Sequence, residues 1–159
     1  MPNISGSSIV VGLDGAPASL AALRWALAEA VTSGSAVEVI NCWGAHGLRD
    51  LAFGSTHELS NGSVCMLDNE VDAALRDTAG IVAVVKTSLH ERPSTALIEH
   101  SEGADLLVLG AHRHTVLRDI ASVPVSASCR RHAKCTVVIV NADGTATRFA
   151  MRTPVAATR

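Results

Sequence analysis

Two short segments of the sequence carry the side chains best suited to binding an anion or a metal ion. Asp14 ends an apolar, β-rich run and precedes a turn, and a basic loop after Gly110 contains His112, Arg113 and His114. A guanidinium pairs well with phosphate, whereas an Asp at the end of a strand also caps the next turn. The two segments predict a phosphate-binding region or, as the simpler alternative, a capped turn and a solvated basic loop.

A metal centre and a known catalytic motif are both disfavoured. His112 and His114 could join a third ligand such as His90 or Asp14, but no metal-ligand spacing is present, and we expect no metal. The sequence lacks the GxGxxG, GxxxxGK[ST] and GxSxG patterns. It therefore predicts a protein that is not an enzyme, with a slow ATPase left open. The cysteines lack CxxC spacing and are expected to be reduced thiols: Cys42, Cys65, Cys129 and Cys135.

Composition limits the class of partner. The 159 residues suit one domain, with 48% hydrophobic and 18% charged residues. A net charge of −2 argues against nucleic-acid binding, which usually needs a basic excess. No apolar run reaches the length of a membrane span, and the first residues lack the pattern of a secretory signal. We therefore expect a cytoplasmic protein that binds no membrane.

Apolar runs alternate with helical patterns along the chain. We predict strands at 8–14, 36–42, 81–89, 105–110 and 136–140, and helices at 18–33, 64–79, 93–100 and 122–133. The predicted organisation is an extension at 1–7, a domain at 8–141 with a long loop at 43–62, and a flexible tail at 142–159.

This alternation predicts an α/β fold with a five-stranded parallel sheet and helices on both faces, doubly wound like the Rossmann fold. Ligands of such sheets bind outside the carboxyl ends of the strands, where the strand order reverses. The loops after the first, second and fourth strands, which begin near Asp14, Cys42 and Gly110, are therefore the expected site.

Three segments together resemble the universal stress protein family. They are the first strand, turn and helix (9–19 and 22–30), residues 92–98 leading into 104–110, and residues 126–140. The resemblance covers roughly residues 8–141. It implies a five-stranded α/β fold, commonly a homodimer, and in some members binding of an adenine nucleotide such as ATP, AMP or cyclic AMP.

The phosphate loop of the ATP-binding members is only partly retained. That loop reads Gly, two residues, Gly, nine residues, Gly and then Ser or Thr, because glycines let backbone N–H groups approach phosphate oxygens. Gly110 matches the first position, but Arg113, Val123 and Pro124 occupy the other three. We expect Val123 to crowd the phosphate and Pro124 to remove both an N–H and a hydroxyl. Arg113 could compensate with its charge.

The resemblance places Asp14 at the position that contacts the nucleotide or its metal in binding members, and Cys42 near the adenine. The main functional prediction is a non-catalytic, dimeric stress-response or signalling module whose ATP binding is weakened or lost. The alternative is a protein of the same fold that binds ATP, AMP or cyclic AMP. The candidate nucleotide-binding residues are Gly12, Asp14, Cys42, Gly110, Arg113, Val123, Pro124 and Val125.

The last predicted strand is the candidate dimer interface. In many family members this strand pairs with its counterpart across the dimer axis, and here it is apolar and terminal. Because an exposed edge strand invites pairing, we expect a homodimer to cover it. The alternative is a monomer whose C-terminal tail shields the edge. The residues concerned are Thr136, Val137, Val138, Ile139 and Val140.

Overall fold

The computed structural model describes residues 6–44, 55–111 and 123–152. The strands are β1 (Ser8–Gly12), β2 (Ala36–Cys42), β3 (Val84–Leu89), β4 (Leu106–Gly110), β5 (Thr136–Val140) and β6 (Ala146–Phe149). The helices are α1 (Pro17–Ser33), α2 (Thr56–Arg76), α3 (Pro93–His100) and α4 (Val125–His132).

The strands form one mixed sheet in the order β3-β2-β1-β4-β5-β6. The first five strands pair in parallel, and β6 pairs antiparallel with β5. The predicted α/β class is confirmed, but the sheet has six strands where the sequence predicted five. The additional strand lies in the segment predicted to be a flexible tail, because only one of its four residues is apolar and large, and no hydrophobic pattern marks it.

The two faces of the sheet carry separate apolar cores. Val11 of β1 and Leu27 of α1 belong to the cluster that α1 and α2 cover. Ile40 of β2 and Leu97 of α3 belong to the cluster under α3 and α4. Because β1, β2, β4 and β5 contribute side chains to both clusters, these strands are apolar on both faces, as is typical of a parallel sheet between helix layers.

Helix α2 begins at Thr56, eight residues before the predicted start at Val64. Ser55 and Glu58 form a capping box, in which Ser55 Oγ accepts from Glu58 N at 3.3 Å and Ser55 N donates to Glu58 Oε2 at 2.8 Å. This cap starts a helix in a polar, glycine-containing stretch that was predicted to be loop. Of the predicted loop at 43–62, residues 45–54 lie outside the described residues.

Strand β6 changes the prediction for the dimer interface. Residues 137–140 of β5 pair with 146–149 of β6, and residues 106–110 of β4 pair with the other side of β5. Thr136–Val140 is therefore not an exposed edge in this structure, because the chain's own C-terminal segment pairs with it, and its role as a dimer interface stays a prediction. The alternative, a shielding tail, describes the structure. Homodimerisation by another route stays a prediction.

Within the described ranges, no helix combines the length and the apolar character that crossing a bilayer requires.

Candidate functional site

A cavity of about 230 Å³ opens at the carboxyl ends of β1, β2 and β4. The strand order reverses between β1 and β4, since the chain runs from β1 outward to β2 and β3 and returns on the other side of β1. This is the position at which α/β sheets bind ligands. The structure therefore places a cavity where the sequence predicts the site. Five of the candidate nucleotide-binding residues predicted from the sequence line this cavity: Gly12, Asp14, Cys42, Gly110 and Val125.

Asp14 organises the turn between β1 and α1. Its Oδ1 accepts from Ala16 N at 2.9 Å, and its own N–H donates to Ser19 Oγ at 3.3 Å. Ser19 Oγ in turn donates to the Ala16 carbonyl at 3.0 Å. The capping interaction predicted from the sequence is present, and the exposed Asp14 also lines the cavity. Asp14 Oδ2 has no protein partner among the described residues.

Asn41 holds this turn from the neighbouring strand. Asn41 is 8% exposed, and its Nδ2 donates to the Leu13 carbonyl at 2.7 Å. Its Oδ1 accepts from Ser63 Oγ of α2 at 2.6 Å, and Ser63 Oγ lies 2.7 Å from Ser88 Oγ of β3. A buried polar network of this kind fixes its members in one arrangement when every group is paired. The carboxyl ends of β1, β2 and β3 are thereby joined to α2 directly behind the cavity.

Gly110 allows β4 to pack closely against the first turn of α1. A Cβ at Gly110 would lie 2.5 Å from Ser19 N and 2.6 Å from the carbonyl carbon of Ala18. Both are backbone atoms, so a larger residue would displace the start of α1. Close packing against α1 therefore explains why this chain has a glycine at position 110, the first glycine of the family pattern, independently of any ligand.

Cys42 presents a protonated thiol to the cavity. Burial, and then the negative charge of Glu91, raise the pKa of this thiol to about 11. The thiol is therefore a poor nucleophile and a poor metal ligand near neutral pH. Burial also raises the pKa of Cys129 to about 12 and that of Cys135 to about 11. The structure has Cys42, Cys65, Cys129 and Cys135 as free thiols.

Three helices begin at the cavity without a side-chain cap. The N-cap residues are Ala16 for α1, Arg92 for α3 and Pro124 for α4, and none of their side chains accepts a hydrogen bond from the first turn. The first-turn N–H groups of a helix have no partner within the helix, and its N-terminus carries roughly half a positive charge. Residues of all three first turns line the cavity: Ala18, Ser19, Pro93, Val125 and Ser126. This arrangement suits an anion.

Val123 and Pro124 lie beside the cavity, and their predicted effect on a phosphate stays a prediction. Val123 is 70% exposed and does not line the cavity, and Pro124 serves as the α4 N-cap outside the lining. The chain reaches the cavity one residue later, at Val125 and Ser126. Arg113, like His112 and His114, lies outside the described residues, and its role stays a prediction.

The sequence did not point to Asn41, Ser19 or Ser126. Asn41 could have been noticed as a polar residue near the end of a strand, but its hydrogen-bond partners Leu13 and Ser63 are distant in sequence. Ser126 lies two residues beyond Pro124, the last position of the phosphate-loop pattern, and was not singled out as a site residue. As for metal sites, the part of the chain that the structure describes holds no cluster of three or more His, Cys, Asp or Glu residues suited to one.

Comparison with known proteins agrees with this architecture. The model of the universal stress protein family matches residues 7–141. A universal stress protein solved in complex with cAMP is 25% identical, with a TM-score of 0.66, over 86% of this chain and 98% of that one. The Archaeoglobus fulgidus protein solved with dAMP is 19% identical (TM-score 0.62), over 84% and 96% of the two chains.

A third similar structure is a universal stress protein family protein from Arabidopsis thaliana with AMP bound. It is 17% identical, with a TM-score of 0.57, over 85% of this chain and 91% of that one. The family match spans every helix and five of the six strands described above. This chain belongs to the universal stress protein family.

Proposed function

We propose that this chain is a non-catalytic adenine-nucleotide-binding module that takes AMP or cyclic AMP in preference to ATP. The observation that carries the proposal is the convergence of three uncapped helix N-termini on one cavity at the switch point of the sheet. The first turns of α1 and α4 offer backbone donors to a phosphate oxygen without requiring a basic side chain, whereas α3 reaches the cavity through Pro93, which has no N–H, and contributes only the field of its N-terminus. The similar proteins solved with cAMP, dAMP and AMP support the choice of ligand class.

The electrostatics of the described wall favour a ligand of low charge. Three helix N-termini contribute roughly half a positive charge each, and Asp14 is the charged residue among the described lining residues. The local field therefore suits a phosphate with one or two negative charges better than a triphosphate with about four.

The apolar part of the wall suits the base. Ile40, Leu97 and Leu109 line the cavity together with Cys42, and ligand pockets typically combine such an apolar surface with a few polar groups. With the adenine packed against this apolar surface, the exposed carboxylate of Asp14 accepts a hydrogen bond from a sugar hydroxyl of the nucleotide. The phosphate then lies at the first turns of α1 and α4, near Ser19 and Ser126.

The chemistry of the lining residues favours binding over turnover. The Cys42 thiol has a pKa of about 11, and Ser19 Oγ is engaged by Asp14 N and the Ala16 carbonyl. Activation of a nucleophile requires an adjacent base or a lowered pKa. Neither is found for the Cys42 thiol or the Ser19 hydroxyl, which supports binding without turnover.

Calorimetric titration of the full chain with AMP, cyclic AMP, ATP and adenosine tests this proposal. We expect micromolar dissociation constants for AMP and cyclic AMP, with ATP and adenosine each weaker by about tenfold, which corresponds to about 1.4 kcal/mol. Mass analysis of small molecules released on denaturation is expected to detect a co-purified adenine nucleotide. An Arg113→Ala variant separates a guanidinium contribution from that of the helix N-termini.

Two results would contradict the proposal. No binding of any nucleotide up to millimolar concentration would leave a family module that acts through protein contacts alone, which is the main prediction from the sequence. Release of inorganic phosphate from ATP in proportion to protein, and its loss in an Asp14→Ala variant, would make the chain an enzyme.

A further inference from the structure

The hydrogen-bond ladder between β1 and β2 ends one bond early at the cavity. Leu13 N donates to the Ile40 carbonyl at 2.9 Å, just beyond the last paired residue of β1, Gly12. In a parallel ladder alternate residues of a strand face the same neighbour, so the next bond would run from Cys42 N to the Leu13 carbonyl. Within the described ranges this carbonyl accepts instead from Asn41 Nδ2, at 2.7 Å, and no bond from Cys42 N to it is formed. A side chain thus replaces one bond of the sheet.

The backbone N–H of Cys42 consequently belongs to the cavity wall. Trp43 N donates to the Leu89 carbonyl at 2.9 Å, so Trp43 faces β3 and the residue before it faces β1. Cys42 lines the cavity, and its N–H has no acceptor among the residues that the structure describes. An unpaired N–H that is partly withdrawn from water costs free energy until a group accepts from it, which makes it a contact point for a ligand.

Asn41 is held in the orientation that its bond to Leu13 requires. Its Oδ1 accepts from Ser63 Oγ at 2.6 Å, and Ser63 Oγ lies 2.7 Å from Ser88 Oγ. Asn41 and Ser63 are 8% and 5% exposed, so both bonds of the amide are largely shielded from water. Because the Leu13 carbonyl can only accept, the amide nitrogen must face it and the amide oxygen must face Ser63. A side chain at this position needs a donor and an acceptor to satisfy both neighbours.

An asparagine is unexpected at this position of β2. Val37 and Val39 lie on the same face of the strand, are at most 1% exposed and belong to the apolar cluster that α1 and α2 cover. Asn41→Val would continue this cluster, and strands favour valine over asparagine. It would also leave the Leu13 carbonyl to Cys42 N, which would extend the sheet by one bond. The chain instead has a residue that prevents this extension, which indicates a role for Asn41 at the cavity.

We propose that Asn41 is a positioning residue, which keeps the carboxyl ends of β1 and β2 from pairing further and so holds the Cys42 N–H in the cavity wall. Its side-chain amide occupies the Leu13 carbonyl and is braced by Ser63 of α2. Recognition of a nucleotide by the Cys42 N–H rests on the proposed function above, whereas the effect of Asn41 on the two strands depends on no ligand.

Amide hydrogen exchange of the ligand-free full chain, followed at each residue by NMR, tests the effect on the strands. In the wild-type chain we expect the Cys42 amide to exchange about tenfold faster than the Ile40 amide, which faces β1 two residues earlier. In Asn41→Val we expect the Cys42 amide to slow to the rate of Ile40, because the Leu13 carbonyl becomes its acceptor. A mere loss of packing would instead make exchange faster at both positions.

Ser63→Ala is the matched control. It removes the bond to Asn41 Oδ1 and keeps the bond from Nδ2 to the Leu13 carbonyl, so the Cys42 amide should remain fast although the chain becomes less stable. Asn41→Ala replaces Asn41→Val if circular dichroism shows that the latter does not fold. It removes the same donor without adding bulk, and we expect the same slowing of exchange at Cys42.

Calorimetry with AMP and adenosine tests the ligand contact. We expect Asn41→Val to weaken both by the same factor, about tenfold, because a hydrogen bond to the part of the ligand beside Cys42 is lost. The first turns of α1 and α4, which face the phosphate, are unchanged. If the wild-type chain binds no nucleotide, the proposed function fails, and the exchange measurements alone decide the role of Asn41.

Three results would overturn the inference. In the first, the Cys42 amide of the wild-type chain is as protected as that of Ile40, so that the ladder is complete. In the second, the Cys42 amide exchanges at least as fast in Asn41→Val as in the wild-type chain, so that Asn41 does not interrupt the pairing. In the third, the variant slows exchange at Cys42 and binds AMP and adenosine with wild-type affinity, so that the Cys42 N–H has no part in binding.

Discussion

Helices α1 and α2 begin in opposite ways, although both cover the same face of the sheet. At α2, the Ser55 side chain caps the helix and Glu58 returns the bond, so the first-turn donors are used within the protein. At α1, the N-cap is Ala16, which has no polar side chain. The N-terminus of α2 does not line the cavity, whereas that of α1 does.

We expect the capped start of α2 to contribute to stability and the uncapped start of α1 to contribute to ligand binding. A side-chain cap typically contributes about 1 kcal/mol to the free energy of unfolding, and the chain uses one at α2. The helices α1, α3 and α4 have no such cap, and first-turn residues with free N–H groups line the cavity at α1 and α4. If these donors bind a phosphate, a substitution at the capped start of α2 should change mainly the free energy of unfolding. A substitution at the uncapped start of α1 should change the affinity for the nucleotide.

The largest effect is expected from Gly110→Ala. The new Cβ would lie 2.5 Å from Ser19 N, a backbone atom that can move only with the first turn of α1. Overpacking of this kind costs about 1–3 kcal/mol of unfolding free energy, and we also expect AMP binding to be lost. Chemical denaturation and calorimetry measure the two effects.

Gly62→Ala is the matched control within α2. A Cβ at Gly62 meets no atom within 4 Å, and Ala favours the interior of a helix by about 1 kcal/mol over Gly. This variant should be more stable than wild type and bind AMP equally well. Equal destabilisation by both substitutions would show that the close approach at Gly110 has no special role.

Asp14→Asn separates the capping role of Asp14 from a ligand contact. Asparagine can still accept from Ala16 N through its side-chain oxygen, as Asp14 does at 2.9 Å, but it lacks the charge. We expect affinity for AMP to fall about tenfold, because a hydrogen bond to a charged group contributes about 1.5–3 kcal/mol.

Asp143→Asn provides the control, since Asp143 also accepts from an N–H two residues later at 2.9 Å but lies at the β5–β6 turn. It should leave affinity unchanged. Wild-type affinity in Asp14→Asn would limit Asp14 to its structural role in the turn.

Local patterns were sufficient for much of this fold and for the position of the cavity. The strands β1, β4 and β5 are short apolar runs, and α1 ends where Gly34 adopts a φ of 72°. The loops after β1, β2 and β4 follow from topology alone. The structure of β6 could not be predicted in this way, because it depends on Trp25, Glu29 and Arg130, which are distant in sequence from Arg148 and Phe149.

The start of α2 and the cavity wall were missed for different reasons. Ser55 and Glu58 have the spacing of a capping box, but the glycines around them suggested a loop. Val123 occupies the third glycine position of the family pattern, and the structure leaves it 70% exposed and outside the cavity lining. The family pattern gives only the order of the residues along the chain. Which of them line the cavity also depends on where α4 begins.

A smaller effect is expected from Ser55→Ala, which removes the side-chain cap of α2. Loss of the bond from Glu58 N should lower the free energy of unfolding by about 1 kcal/mol. Affinity for AMP should not change, because this helix start lies outside the cavity lining. A fall in affinity comparable to that of Asp14→Asn would show that α2 transmits strain to the site through Ser63 and Asn41.

The smallest and most specific effect is expected from Ala16→Asn, which gives α1 the cap that it lacks. Ala16 has φ −70° and ψ 153°, the extended conformation in which an N-cap side chain accepts from the first turn. The unfolding free energy should rise by about 0.5 kcal/mol. AMP must then compete with the new side chain for the same donors, so its affinity should fall about threefold, within the range of helix-terminus effects on anions. Adenosine, which has no phosphate, should bind both proteins equally. An equal loss for adenosine would indicate a steric obstruction, and unchanged AMP affinity in a stabilised variant would show that the donors of α1 do not bind the phosphate.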